Sequence, residues 1–360
     1  MNIAIMGAGV LGRLLAIELH ERKHKVTIFE KNDEYSSLSC SATAAGMLAP
    51  WSEAQESSEI VFELGVSSLK LWPHILKKIN AENIIDRWGT AHLATLGEKH
   101  KLIHFLECLK SKGIHPEVIE INQKNNKRFV GNFYSPYSFG YYFPDEASLK
   151  PRYFIEKSNQ FFKEKSINFY FNQKIIESEQ NKIKTEENTF YFDLICNTTG
   201  MAAKSIFAET TQLLRGVRGS LILMYAPLVH LNSVIRIRHS RNPIYIVPRG
   251  HHQYIIGATT HETECLKPIT AEAFLELLNV AVHFDKGFLE AHIMEQRINL
   301  RPTLTSGSPQ FLKKDEIYYI NGLYRNGITI SPALVNIFCN YIENKNTLIN
   351  NKKFEDLWIN

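Results

Sequence analysis

The apolar positions of this chain change period twice within the first thirty residues. Asn2 to Met6 is a short apolar run of strand length. After Gly7-Ala8-Gly9-Val10-Leu11-Gly12, the residues Leu14, Leu15, Ile17 and Leu19 follow a helical pattern, and Val26 to Phe29 is a second short run ending on Glu30. Strand, helix, strand is the order this predicts. Further on, the pattern predicts an amphipathic helix over 56–79, short strands over 84–96 and 115–143 with a helix at 99–112 between them, and a helix over 149–165. Paired, charge-bearing strands are expected over 167–192, then an apolar strand from Asp193 that ends in Asn197-Thr198-Thr199-Gly200. From 213 to 258 the period falls near two, marking strands at 219–225, 234–238, 244–248 and 253–258. A helix over 271–284, a buried strand at 317–320 and a closing helix over 328–342 complete the pattern, and 343–353 reads as a solvated end.

Each part of the opening stretch has a physical task in binding a dinucleotide. Gly7 permits a tight turn, Gly9 lets the backbone approach a pyrophosphate, and Gly12 lets the helix pack closely on the strand. The helix start then offers free N–H groups and a positive dipole end to phosphates. Glu30, at the end of the second strand, can accept from both ribose hydroxyls, which disfavours a 2′-phosphate. The following segment, Ser36 to Pro50, is rich in Ser, Ala, Thr and Gly, so its backbone can lie close to a ligand.

Nucleotide-type elements occur at the start, middle and end of the chain, with sheet-rich segments between them. The expected class is α/β: a Rossmann-type nucleotide-binding domain (1–80, 145–210 and 295–360) interleaved with a mixed or antiparallel β-sheet substrate domain (81–144 and 211–294). A length of 360 residues can bury a large core without disulfides. The five cysteines lie far apart without paired spacing, so incidental thiols in a reducing compartment are expected rather than a metal site. No apolar run of about 18 residues is present. Because the N-terminus is itself a strand, a signal peptide is not expected and the location is read as cytoplasmic. A formal charge of +4 argues neither for nor against nucleic acid.

Six stretches carry a family resemblance: GAGVLG (7–12), SATAAGMLAP (41–50), LRGVRG (214–219), YIVPRGHHQYIIGATT (245–260), LRPTL (300–304) and GLYRNGITISPA (322–333). In that order, and over nearly the whole chain, it resembles the D-amino-acid-oxidase-like flavoproteins, most closely the glycine oxidases of thiamine biosynthesis. The resemblance implies FAD rather than NAD, and oxidation of an amine carbon–nitrogen bond to an imine that water hydrolyses. It assigns Gly7, Ala8, Gly9, Val10, Leu11, Gly12, Glu30, Lys31, Ser41, Ala44, Ala45, Gly46, Met47, Ile175, Thr198, Thr199 and Gly200 to the cofactor. Arg325, Asn326, Gly327, Ile328 and Thr329 join them, with Asn326 and Gly327 turning the backbone beneath the flavin. The sequence departs from the family at Leu323, where a His is usual, and at Glu262, displaced by one position; both are expected near flavin or substrate.

A substrate carboxylate in an apolar pocket calls for an arginine fork. Arg301, held extended by Pro302, is the expected anchor, with a surface salt bridge as the alternative. Tyr245 is expected either to bond that carboxylate or to pack across strands, and Arg325 to touch substrate or flavin. His251 and His252 read as a hairpin-turn pair, and Arg215, Arg218 and Arg249 as structural pairs or rim charges. The expected partners are a small amino acid and molecular oxygen, with no membrane or nucleic acid; a homo-oligomer is compatible with the sequence. Two other functions fit it less well. A flavin oxidase of a modified tRNA base lacks the basic arm such a substrate needs, and a non-catalytic nucleotide binder leaves Arg301, Tyr245 and Arg325 unexplained.

Overall fold

Strand β1 (Asn2–Met6) has four of its five residues buried and runs between two parallel neighbours, as a strand apolar on both faces must. The computed structural model describes residues 1–132, 136–137, 139–238, 243–345 and 351–359. Helix α1 (Val10–Glu21) follows the glycine turn, and β2 (Lys25–Phe29) pairs with β1 from Asn2↔Lys25 to Met6↔Phe29. Two short helices, α2 (Cys40–Thr43) and α3 (Pro50–Glu53), lead to the long α4 (Glu59–Lys78). Helix α5 (Pro151–Glu164) begins on a proline, where a missing N–H goes unnoticed. Strand β3 (Leu194–Asn197) then pairs parallel with β1 on its other side. The complete sheet runs Asn168–Tyr170, β2, β1, β3, Ile317–Asn321, Gln310–Lys314, parallel except at the last strand.

The second sheet has eight strands. It is ordered β7 (His292–Leu304), β4 (Leu214–Tyr225), β6 (Gln253–Gly257), β5 (Ile244–Gly250), Val234–Ile237, Thr90–Ala94, Phe139–Phe143, Ile119–Ile121. Its pairs are antiparallel except Val234–Ile237 with Thr90–Ala94. The mixed α/β class with interleaved sheets therefore holds. Helix α6 (Gly327–Ile342) returns to the first sheet and packs on α1 and α4. One core lies among β1, α1, α4 and α6; another lies under the eight-stranded sheet, where helix Ala271–Phe284 covers it.

Two expectations change. The boundary at 295 cuts through β7, which pairs with β4 along its whole length, so 295–304 belongs with the eight-stranded sheet. The pattern reading left this strand unassigned because polar residues interrupt its apolar positions; as an edge strand it tolerates them, and it tolerates Pro302 as well. Within 167–192, Asn168–Tyr170 extends the parallel sheet, and only Ile175–Tyr191 forms an antiparallel set. Part of the expected strand region at 115–143 and of the end at 343–353 lies outside the described residues. His251 and His252 do form a two-residue turn between β5 and β6, with φ of 49° and 57°.

Candidate active site

The glycine turn is built as a cradle. Gly7 has φ of +94°, which only glycine adopts without strain. A side chain on Gly12 would begin 2.0 Å from Gly7 O and 2.7 Å from Thr198 Oγ1, so α1 rests directly on the turn. The first helical N–H groups have no partners within the helix. That of Val10 donates to Ser41 Oγ (2.8 Å), which leaves those of Leu11 and Gly12 for a phosphate. Glu30, 6% exposed, accepts from the N–H groups of Ala8 (2.9 Å) and Asn32 (3.0 Å), fixing its carboxylate beside the turn. Thr198, Thr199 and Gly200 close the other side at the carboxyl end of β3, with Thr198 Oγ1 donating to Gly7 O (2.9 Å). The donors, the close packing and the acid suit a dinucleotide.

Arg13 holds this cradle in place. It is fully buried, and Nε donates to Ala8 O (2.7 Å), Nη1 to Ser158 Oγ (2.9 Å) and Asn159 Oδ1 (2.5 Å), and Nη2 to Glu34 O (2.7 Å). Burial pushes its pKa down to about 9. The sequence reading passed over it as one more polar position on α1; an arginine within an otherwise apolar helix face was the available signal.

From the start of α1 a cavity opens between α2, the 44–49 segment, the start of α6 and the face of the eight-stranded sheet. Val10, Ser41, Ala44, Ala45, Gly46, Met47, Asn326, Gly327, Ile328 and Thr329 line it, as do Arg301, Tyr245 and Arg325. Thr329 Oγ1 donates to Met47 O (2.9 Å), tying the start of α6 to the small-residue segment. The expected turn at Tyr324–Asn326 leads into α6 at Gly327, so the positive end of the helix faces the cavity.

Arg301 stands on β7 with Nη2 donating to Thr259 O (3.2 Å) and Nη1 near Thr260 Oγ1 (3.4 Å); among the described residues no carboxylate pairs with it. Burial lowers its pKa, but a guanidinium keeps its charge. Tyr245, on β5, has no hydrogen-bond partner for its hydroxyl among the described residues, and burial raises its pKa, so it remains a donor. Gly219 makes room for Arg301: a Cβ there would lie 2.3 Å from Arg301 Nη2. Because the obstructed atom ends a flexible side chain, Gly219→Ala should fold normally yet displace the guanidinium. We expect retained cofactor content and about tenfold weaker binding of a small carboxylate, the loss of roughly one charged hydrogen bond. Titration of acetate into both proteins would check this, and equal affinity would mean that Arg301 does not hold the carboxylate.

Arg325 is differently placed. Its Nη2 meets Glu53 (2.7 Å) and its Nη1 meets Glu56 (2.6 Å), so carboxylates of the chain itself already hold it. Glu53 also pairs with Arg236; burial alone would raise its pKa, but the two guanidiniums hold it down at about 2. Glu53 lines the cavity, and sequence reasoning missed it. Its position directly after the small-residue segment was the only signal. Behind it, Ser52 Oγ donates to Glu146 Oε2 (2.6 Å) and accepts from His92 Nε2 (2.8 Å), all three buried. Burial pushes Glu146 up to about 7 and His92 well below the usual histidine value. This network fixes α3, and with it Glu53.

Other expected residues lie elsewhere. Lys31 is exposed beyond Glu30, and Ile175 packs near the Phe29 cluster, two residues after Gln173 whose N–H donates to Glu30 O (2.9 Å). Glu262, expected near the flavin or substrate, pairs instead with Arg215 (3.1 Å) at the surface. Leu323 packs on the core between α1, α4 and α6. Arg218 is structural, with Nη2 donating to Lys267 O (2.9 Å) and Pro268 O (2.8 Å). Among the described residues no group of three or more His, Cys, Asp or Glu could hold a metal, and no helix is long and apolar enough to cross a membrane.

The family described as "DAO: FAD dependent oxidoreductase" matches residues 2–339. The thiamine biosynthesis oxidoreductase ThiO of Rhizobium etli is 27% identical over 343 residues, covering 93% of this chain and 94% of its own. Glycine oxidase of Geobacillus kaustophilus is 26% identical over 363 residues, covering 96% and 94%. The crystal structure of glycine oxidase from Geobacillus kaustophilus superimposes with a TM-score of 0.86 over 98% of this chain and 97% of its own, at 22% identity.

Proposed function

We propose, from the premise that this chain belongs to the FAD dependent oxidoreductase family, that it oxidises glycine or a similarly small amino acid to the imine, with hydrogen peroxide as co-product. The two relatives named for glycine oxidation and thiamine biosynthesis support this, and support a place for the product in thiamine biosynthesis. Arg301 carries the proposal: a half-buried cation without a carboxylate of its own among the described residues, at the wall of the cavity that begins at the dinucleotide cradle. The cradle from Gly7 to Gly12, Glu30, the 44–47 segment and the start of α6 would hold FAD, which when bound supplies the acceptor for the substrate's α-hydrogen as hydride.

The chain's own residues then have to bind and orient. Arg301 takes both oxygens of the carboxylate, and Tyr245 adds a donor from β5. Two fixed contacts on one end of a short molecule set the direction of its α-carbon and its amine, and such positioning lowers the barrier by several kcal/mol. Gly219, Ala44, Ala45 and Ala258 give the cavity a small-residue lining. Glu53 stays ionised with both oxygens engaged by Arg236 and Arg325, so it makes a poor proton acceptor. The amine must therefore arrive neutral, and the rate should rise with pH.

Flavin-loaded protein mixed anaerobically with glycine and with sarcosine should lose its yellow absorbance, faster at higher pH. Readmitting oxygen, or a dye in its place, identifies the acceptor. If neither amine bleaches the protein while a larger D-amino acid does, the small-substrate proposal fails and the broader amino-acid oxidase takes its place.

A further inference from the structure

A second cavity lies on the same face of the eight-stranded sheet, on the far side of α2 from the first. Its polar wall holds Lys150, Arg152, Arg249 and Arg297, and the catalytic proposal uses none of them. The cations are only partly neutralised by the chain. Lys150 pairs with Asp86 (3.5 Å), while Arg152 (2.5 Å) and Arg297 (2.9 Å) share Glu295. Arg249 has no carboxylate within ion-pairing distance among the described residues, and its Nη1 reaches only Ser148 Oγ at 3.5 Å. Four cations face three carboxylates, the paired Asp86 and Glu295 and the exposed Glu156 at the rim, so the wall keeps a net positive charge.

Two further observations point to a missing anion. Arg297, whose side chain is 7% exposed, leaves Nε without a partner, and Arg249 leaves Nη2 without one. Buried guanidinium donors are normally satisfied, so these two orphaned atoms leave both cavity-lining arginines short of acceptors. The second observation is α5, a 14-residue helix whose first turn, Pro151 to Tyr153, borders the same cavity. It carries no side-chain cap and no acidic residue in its first turn, and the N–H groups of Arg152 and Tyr153 have no partner within the helix. A helix start of this kind favours an anion. Leu223 and Ile255 supply an apolar floor beside the cations.

We propose that this second cavity binds a phosphate monoester with a small apolar or aromatic body, the phosphate lying between Arg249, Arg297 and the start of α5. The phosphate answers the net positive wall, and its oxygens suit several donors at once. The body of the molecule rests on Leu223 and Ile255. Arg249 lies four residues from Tyr245 on β5, and Arg297 lies four residues from Arg301 on β7, so the two cavities share their strands.

Titration calorimetry on the flavin-loaded protein at constant ionic strength tests this, with phenyl phosphate, inorganic phosphate and benzoate as separate probes. Phenyl phosphate should bind saturably at one site, inorganic phosphate more weakly, and Arg301→Ala should change neither. Arg249→Gln should weaken phenyl phosphate by about tenfold or more, the loss of a charged hydrogen bond. Arg152→Ala, on a half-exposed side chain, should weaken it several-fold and keeps the test decisive if Arg249→Gln does not fold. The proposal is overturned if phenyl phosphate shows no saturable binding, if benzoate binds as tightly, or if affinity falls in Arg301→Ala and persists in Arg249→Gln.

Discussion

Arg301→Ala is expected to keep its flavin and its fold while losing affinity for acetate, glycine's carboxylate without its amine, by a hundredfold or more. Removing a two-pronged charged contact inside a desolvated cavity costs on the order of 3 kcal/mol or more. Folding should tolerate the change, because among the described residues the guanidinium bonds only Thr259 O (3.2 Å) and Thr260 Oγ1 (3.4 Å). The perturbation of flavin absorbance on acetate binding gives the dissociation constant for both proteins. Arg301→Lys sharpens the test: it restores the charge but not the fork, so affinity should return only in part. Undiminished acetate binding in Arg301→Ala would show that the carboxylate is held elsewhere. Arg325 is the weaker alternative, since Glu53 and Glu56 already occupy its guanidinium.

Gly12→Ala should be severely damaging to the cofactor site. The added carbon would start 2.0 Å from Gly7 O and 3.1 Å from Gly7 C, and both are backbone atoms of the turn that cradles the pyrophosphate. Backbone cannot swing aside as a side chain can, so α1 must lift from β1 or the turn must open. Overpacking in cores costs about 1–3 kcal/mol, and an obstruction by main chain sits at the top of that range or above it. The expected protein is colourless, or loses FAD on dilution, and melts several degrees lower. Gly97→Ala is the control. Its nearest neighbour would be Thr95 Oγ1 at 4.0 Å, so neither flavin content nor melting temperature should fall. Normal flavin content in Gly12→Ala would remove the cradle from the cofactor site.

The sequence by itself determined whatever depends on neighbours along the chain. The turn from Gly7 to Gly12, α1 and β2 were legible because glycine freedom and apolar period act within a few residues. The helices at 59–78, 151–164, 271–284 and 327–342 were legible for the same reason. The extended backbone of Arg301 followed from Pro302, and the hairpin at His251-His252 from its place between two strands of period two. Tertiary structure alone decided which charges meet. Arg325 and Glu56 are 269 residues apart, and no local pattern says that they pair while Arg301, among the described residues, has no carboxylate. The same holds for Glu53 under two guanidiniums, for Ser52 between His92 and Glu146, and for Arg13 across α1 and α5. β7 was missed because an edge strand's polar residues are permitted by its place in the sheet, which its own period does not reveal. The second cavity depends on register: Arg249 and Arg297 share a wall only because β4 and β6 set β5 and β7 at fixed offsets. Period is a property of one segment, whereas pairing belongs to two segments brought together by folding.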